Sequence, residues 1–135
     1  MLIKTVESSK IKSQTVPRVF KTAWFAKAAR KAKIGDEILC QAIAQIISGQ
    51  VINLGGGVYK KRLHSNMYRG IILAKTSRYW IFAFLYAKND RGNINSDELA
   101  AFKFLASDYA NATDADMKRL LIAKDLLEIC HDCQC

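Results

Sequence analysis

An α+β domain, a helical hairpin packed on a small curved antiparallel sheet with further helices at the end, is expected from three features. Residues 22–48 carry apolar side chains at helical spacing, residues 58–88 alternate with a period of two, and residues 95–127 return to helical spacing. The chain has 135 residues, the length of one domain, and is 50% apolar, enough for a core. No linker or internal repeat divides it. Residues 16–127 form the expected domain, between an extension (residues 1–15) and a Cys-rich tail (residues 128–135).

The opening MLIKTVESSKIKSQTVP shows no repeating apolar face, so residues 1–15 are read as a flexible arm. Pro17 disfavours helix before it, and RVFKT suggests a short strand. Thr22 is a good N-cap for TAWFAKAARKAK. There Trp24, Phe25, Ala28, Ala29 and Ala32 make an apolar stripe, while Lys27, Arg30, Lys31 and Lys33 stay outside. Gly35 separates a second helix, DEILCQAIAQIIS, whose stripe is Ile38, Leu39, Ala42, Ile43, Ile46 and Ile47. Asp36 and Glu37 fall in its first turn, where the helix dipole favours them, and Gly49 ends it.

VYKKRLH, MYRGIILAK and RYWIFAFLYAK follow as three strands, joined by HSN and TSR, short polar links that favour antiparallel neighbours. In the third, Trp80, Phe82, Phe84 and Tyr86 alternate with Ile81, Ala83, Leu85 and Ala87. Both faces are apolar, as in a central strand covered on both sides. The preceding Gly55, Gly56 and Gly57 lack P-loop spacing and suit a flexible turn or a bulge entering the sheet. Asn95 with Glu98 forms a capping box for SDELAAFKFLASDYA, whose buried side is Leu99, Phe102, Leu105 and Tyr109. Thr113 with Asp116 caps a last helix running through MKRLLIAKDLL.

The formal charge is +9, from 21 Lys and Arg against 12 Asp and Glu, which favours an anionic partner such as nucleic acid. No secretory h-region or membrane span is visible, so a cytoplasmic protein without membrane contact is expected. Cys40 sits in an apolar helical pattern as a small core hydrophobe. Cys130, Cys133 and Cys135 crowd beside His131 at the chain end, whereas zinc sites pair two separated ligand clusters, so neither metal nor cofactor is expected.

The informative stretch is the basic one. On the first strand after the glycines Lys60, Arg62 and His64 share one face, and Tyr59, Lys61 and Leu63 the other. Arg69 follows on the second strand beside Tyr68, while Tyr86, Lys88, Asn89 and Arg91 end the third. Neighbouring strands would bring these cations within about 5 Å, a repulsion that a polyanion site gives reason to tolerate. A solvated basic sheet face is the alternative. Metal-free RNA cleavage needs the 2′-OH deprotonated, the phosphorane charge neutralised and the 5′-oxygen reprotonated. His64, or Lys60, Lys61 or Lys88 with its pKa lowered by neighbouring cations, suits proton transfer. Arg69 and Arg91 suit bidentate phosphate clamping, and Tyr68 or Tyr86 suits base stacking or proton donation.

LGGGVYKKR, then a strand with YR, then an aromatic strand ending LYAKNDRGNINSDELAAFK, resembles the RelE-like toxins of type II toxin–antitoxin modules, in particular the RelE/HigB-type subgroup. WFAKAARKAKIGDEILCQAIAQIISG is similar to that subgroup's helical hairpin, and the resemblance covers roughly residues 18–110. It implies the RelE/ParE-like fold, metal-independent mRNA cleavage on the translating ribosome, and neutralisation by a cognate antitoxin, through which alone operator DNA would be bound. The chain matches the family's pattern at Gly56, Gly57, Lys60, Lys61, Arg62, Arg69, Lys88, Asn89 and Arg91. From this match and the chemistry above, Lys60, Arg62, Arg69 and Lys88 are expected as catalytic, and Lys61, His64, Tyr68, Tyr86, Asn89 and Arg91 as nucleic-acid-binding. HSNMYR is shorter than the glycine-rich loop common at this point in relatives. ParE-type relatives share the fold but poison DNA gyrase, so a non-catalytic toxin with such a target is the alternative.

Overall fold

The computed structural model describes residues 17–76 and 79–129, so the N-terminal extension and the cysteine cluster lie outside the described residues. The elements are β1 (Arg18–Thr22), α1 (Ala23–Ala32), α2 (Asp36–Ile47), β2 (Ile52–Gly55), β3 (Val58–Leu63), β4 (Tyr68–Lys75), β5 (Tyr79–Ala87), α3 (Ser96–Asn111), α4 (Asp114–Ile122) and β6 (Leu126–Glu128). One six-stranded sheet runs in the order β2-β3-β4-β5-β1-β6. The α+β architecture is the expected one, and β2 to β5 are antiparallel. The sheet as a whole is mixed, because β1 lies parallel to β5. The helical hairpin and the strands between β1 and β5 supply the long crossover that parallel pairing requires.

Two apolar clusters cover the two faces of the sheet. Phe25 and Ala29 of α1 and Leu39, Ile43 and Ile46 of α2 pack on Val19, Leu63, Ile72, Trp80, Phe82 and Leu85. Ala106 of α3 and Met117 of α4 pack on Phe20, Val58, Ile71, Leu73, Ile81 and Tyr86. Thr22 caps α1 as expected, accepting from the Phe25 N–H at 3.0 Å. Both capping boxes also form, at Asn95/Glu98 and Thr113/Asp116. Two residues leave the expected helical stripes: Trp24 is 51% exposed and Ile47 61%. Trp24 turns outward to stack on Phe84 of β5, with ring centroids 4.7 Å apart and planes 20° apart. Cys40 is buried in the first cluster as expected, and it is also part of a disulfide.

The three glycines close a hairpin between β2, a strand not anticipated, and β3. Gly55, Gly56 and Gly57 have φ of +91°, +61° and +82°, which side chains adopt only with strain. A Cβ on Gly56 would lie 2.8 Å from Lys103 Cγ on α3. At the other end of the chain, the helix expected through Leu127 stops at Ile122. Lys124 reverses the chain with φ 62°, and β6 pairs antiparallel with β1. Long-range contacts override helix propensity here. Leu126 is buried in the second cluster, and Glu128 accepts from Arg18 Nε and Nη2 at 2.9 and 2.8 Å.

A register shift interrupts β4–β5 pairing: Ile71 faces Phe84 and Ile72 faces Phe82, which leaves Ala83 as one extra residue on β5. The strict alternation expected for that strand therefore fails. Trp80, Phe82 and Leu85 join the α1/α2 side, whereas Ile81, Ala83, Phe84 and Tyr86 join the α3/α4 side. Bulges of this kind re-aim side chains near functional sites.

Candidate nucleic-acid interface

Side chains on the α3/α4 side build the site in two cross-strand rows. Arg62 of β3 pairs with Arg69 of β4, and Arg69 pairs with Tyr86 of β5. The next row runs from Lys60 through Ile71 to Phe84. Arg62 and Arg69 thus stand directly opposite each other, an arrangement that costs stability. The cleft beside them holds about 460 Å³ and is lined by Lys60, Lys61, Arg62, Arg69, Ile52 and Gly92. Among the described residues, no carboxylate pairs with Lys60, Arg62 or Arg69. Lys60 Nζ donates to Asn93 Oδ1 at 3.3 Å. Arg69 Nη1 donates to the Asn66 and Tyr68 carbonyls, both at 3.2 Å.

Arg91 is placed differently, as a fastener. Its Nη1 donates to Glu98 Oε2 at 3.0 Å, its Nη2 to Glu98 Oε1, and its Nε to the Asn93 carbonyl at 3.0 Å. Glu98 also closes the α3 capping box, so Arg91 ties the loop after β5 to the start of that helix. The Arg91 hydrogen bonds, aided by the Asn95 backbone N–H, hold the Glu98 carboxyl below the ordinary carboxylate range. The Arg91 guanidinium lies 5.5 Å from the centre of the Tyr86 ring.

Tyr86 is 6% exposed, and its hydroxyl is buried without a hydrogen-bond partner. Burial pushes the phenol pKa up, against the opposing pull of Arg69 and Arg91, so the group remains a protonated donor. A cation-flanked, unpartnered O–H is the arrangement a developing oxyanion or leaving oxygen requires.

The other expected residues fall elsewhere. Tyr68 and Lys61 point to the α1/α2 side, with Lys61 only 7% exposed. Burial first, and Arg62 second, lower the Lys61 pKa. His64 occupies the β3–β4 turn with φ 51° and its ring 6.2 Å from Tyr68. It lines a second cleft of about 380 Å³ with Gln41 and Gln45 of α2. Lys88 and Asn89 are exposed in the turn after β5 and line neither cleft. Lys60, Arg62, Arg69, Tyr86 and Arg91 are therefore brought together; Lys61 reaches the cleft from the edge, and Tyr68, His64, Lys88 and Asn89 stand apart. Gly92 and Asn93 were not anticipated, and Glu98 was expected only as a helix cap. Their positions depend on how the loop folds back, which carries no periodic signal.

Among the described residues, no group of three or more His, Cys, Asp or Glu side chains could hold a metal ion, and no helix is long and apolar enough to cross a membrane. The family model described as RelE toxin of the RelE / RelB toxin–antitoxin system matches residues 17–129. No curated protein and no solved structure matches the chain.

Proposed function

Because the chain belongs to the RelE toxin family and so has an antitoxin as its counterpart, we propose that it is an endoribonuclease that cleaves mRNA on the ribosome without a metal. The observation that carries this reading is the Arg62–Arg69–Tyr86 row, three side chains on one face across three strands.

In the proposed reaction the ribose 2′-hydroxyl gives up its proton to water as its oxygen attacks the adjacent phosphorus, and the P–O5′ bond breaks with the 5′-oxygen taking a proton from Tyr86, which water then restores. The products are a 2′,3′-cyclic phosphate and a free 5′-hydroxyl. Arg62 and Arg69 present planar donors to the non-bridging oxygens, and Lys60 adds a third positive charge at the cleft. Tyr86 is placed beside Arg69 to supply the proton taken up by the 5′-oxygen. Its hydroxyl is closed to solvent in the free protein, so substrate entry requires the surrounding side chains to move. Arg91 positions the loop rather than touching phosphate, since Glu98 occupies its donors. Lys88 and Asn89, exposed in the turn after β5 and outside the cleft, are the proposed contacts for flanking nucleotides.

Induction of the wild-type chain in cells should arrest growth and yield mRNA fragments ending in 2′,3′-cyclic phosphate, whereas Arg62→Ala/Arg69→Ala should leave transcripts intact. Intact mRNA in both strains would refute the reading. DNA damage without fragmentation would replace it with a gyrase-type target.

A further inference from the structure

Trp24 stands outside the packing of its own helix. It lies in the first turn of α1, yet the buried side of that helix is formed by Phe25, Ala26 and Ala29. Half of its surface is open, and the ring it stacks on, Phe84, leads directly into the cleft: Phe84 and Tyr86 centroids are 6.1 Å apart. A continuous run of rings thus extends from Arg91 over Tyr86 and Phe84 to Trp24. Beyond Trp24, Lys27 and Lys31 follow at three and seven residues' spacing, on the same side of the helix. Both are exposed, as are Arg30 and Lys33, and α1 contains no acidic residue.

We propose that the RNA surface continues from the basic cleft onto α1, with Trp24 stacking one unpaired nucleobase and Lys27 and Lys31 holding the adjoining phosphates. The inference rests on the nucleic-acid reading of the cleft and names where its substrate goes next. An aromatic plane backed by a second ring, followed by regularly spaced cations, is how single strands are bound without sequence readout. The other exposed apolar side chains, Phe104 on α3 and Ile122 on α4 among them, lie outside this run of rings.

The test uses single-stranded RNA methylated at every 2′-oxygen, which binds without being cleaved, followed by anisotropy and by tryptophan emission. Trp24 is the exposed tryptophan, while Trp80 is 9% exposed. Binding should therefore quench emission in the wild type. Trp24→Ala should weaken affinity by about tenfold and Trp24→Phe by clearly less. Lys27→Gln/Lys31→Gln should reduce the slope of log affinity against log salt by about 1.4. Binding without quenching, or equal affinity of wild type and Trp24→Ala while Arg62→Ala/Arg69→Ala loses affinity, overturns the α1 extension alone. A wild type that binds no RNA overturns the cleft reading and this inference with it.

Discussion

A phenol oxygen shut away from water with no partner costs about 1–3 kcal/mol, and Tyr86 carries one. The proposed chemistry explains why the hydroxyl is kept. Tyr86→Phe should therefore raise unfolding stability by about 1 kcal/mol in a thermal melt and slow transcript cleavage by about 100-fold or more. A variant that is fully active would remove the hydroxyl from the mechanism. The sign of its pH dependence follows from the raised pKa. Burial penalises the phenolate, so stability is undiminished by this group below the ordinary tyrosine value of about 10 and falls as pH climbs from there through the higher folded value. That Lys60, Arg62 and Arg69 would meet was legible beforehand, because two short strands and a tight link leave few registers. Which side Tyr86 took was not, since a single inserted residue reverses the count.

Local signals produced the helix starts, and local geometry offers the clearest variants. Thr22, Asn95 and Thr113 cap as their sequences suggested, because a cap is made within four residues. Lys33 ends α1 in the left-handed region, φ 60°, where glycine is the usual residue. Lys33→Gly should stabilise by about 1 kcal/mol, read as a higher denaturant midpoint. Gly56→Ala should do the opposite, losing about 1–2 kcal/mol, since it meets both a positive φ and Lys103. Acid should loosen the start of α3. Glu98 has a depressed pKa, so its contribution is complete above the ordinary carboxylate value and is lost as pH falls through the lower folded one. Glu98→Gln should flatten that part of the stability–pH curve in an acid titration. The edge strands β2 and β6, of four and three residues, escaped anticipation because each is defined by its partner strand rather than by its own pattern.

Taken over the whole protein, the net charge of +9 and the unpaired cations of the cleft predict two opposite salt responses. Unfolding stability should rise between low and moderate salt as repulsion is screened, while RNA affinity should fall over the same range. Parallel melts and anisotropy titrations at matched ionic strength check both. Stability that fell with salt would mean attractive pairs dominate the surface. The extra residue at Ala83 has a further bearing on how relatives diverge. With that alanine removed, Phe82 and Phe84 would follow each other across from Ile72 and Ile71, and Tyr86 would stay opposite Arg69. Were all nine residues instead paired without the bulge, the distal half of β5 would turn over, and Tyr86 would lie among the aliphatics beneath α2, facing away from the arginines. Homologues that keep the length of β5 but pair it without this irregularity should fold, bind anions and fail to cut, an inert lineage that composition alone would not reveal.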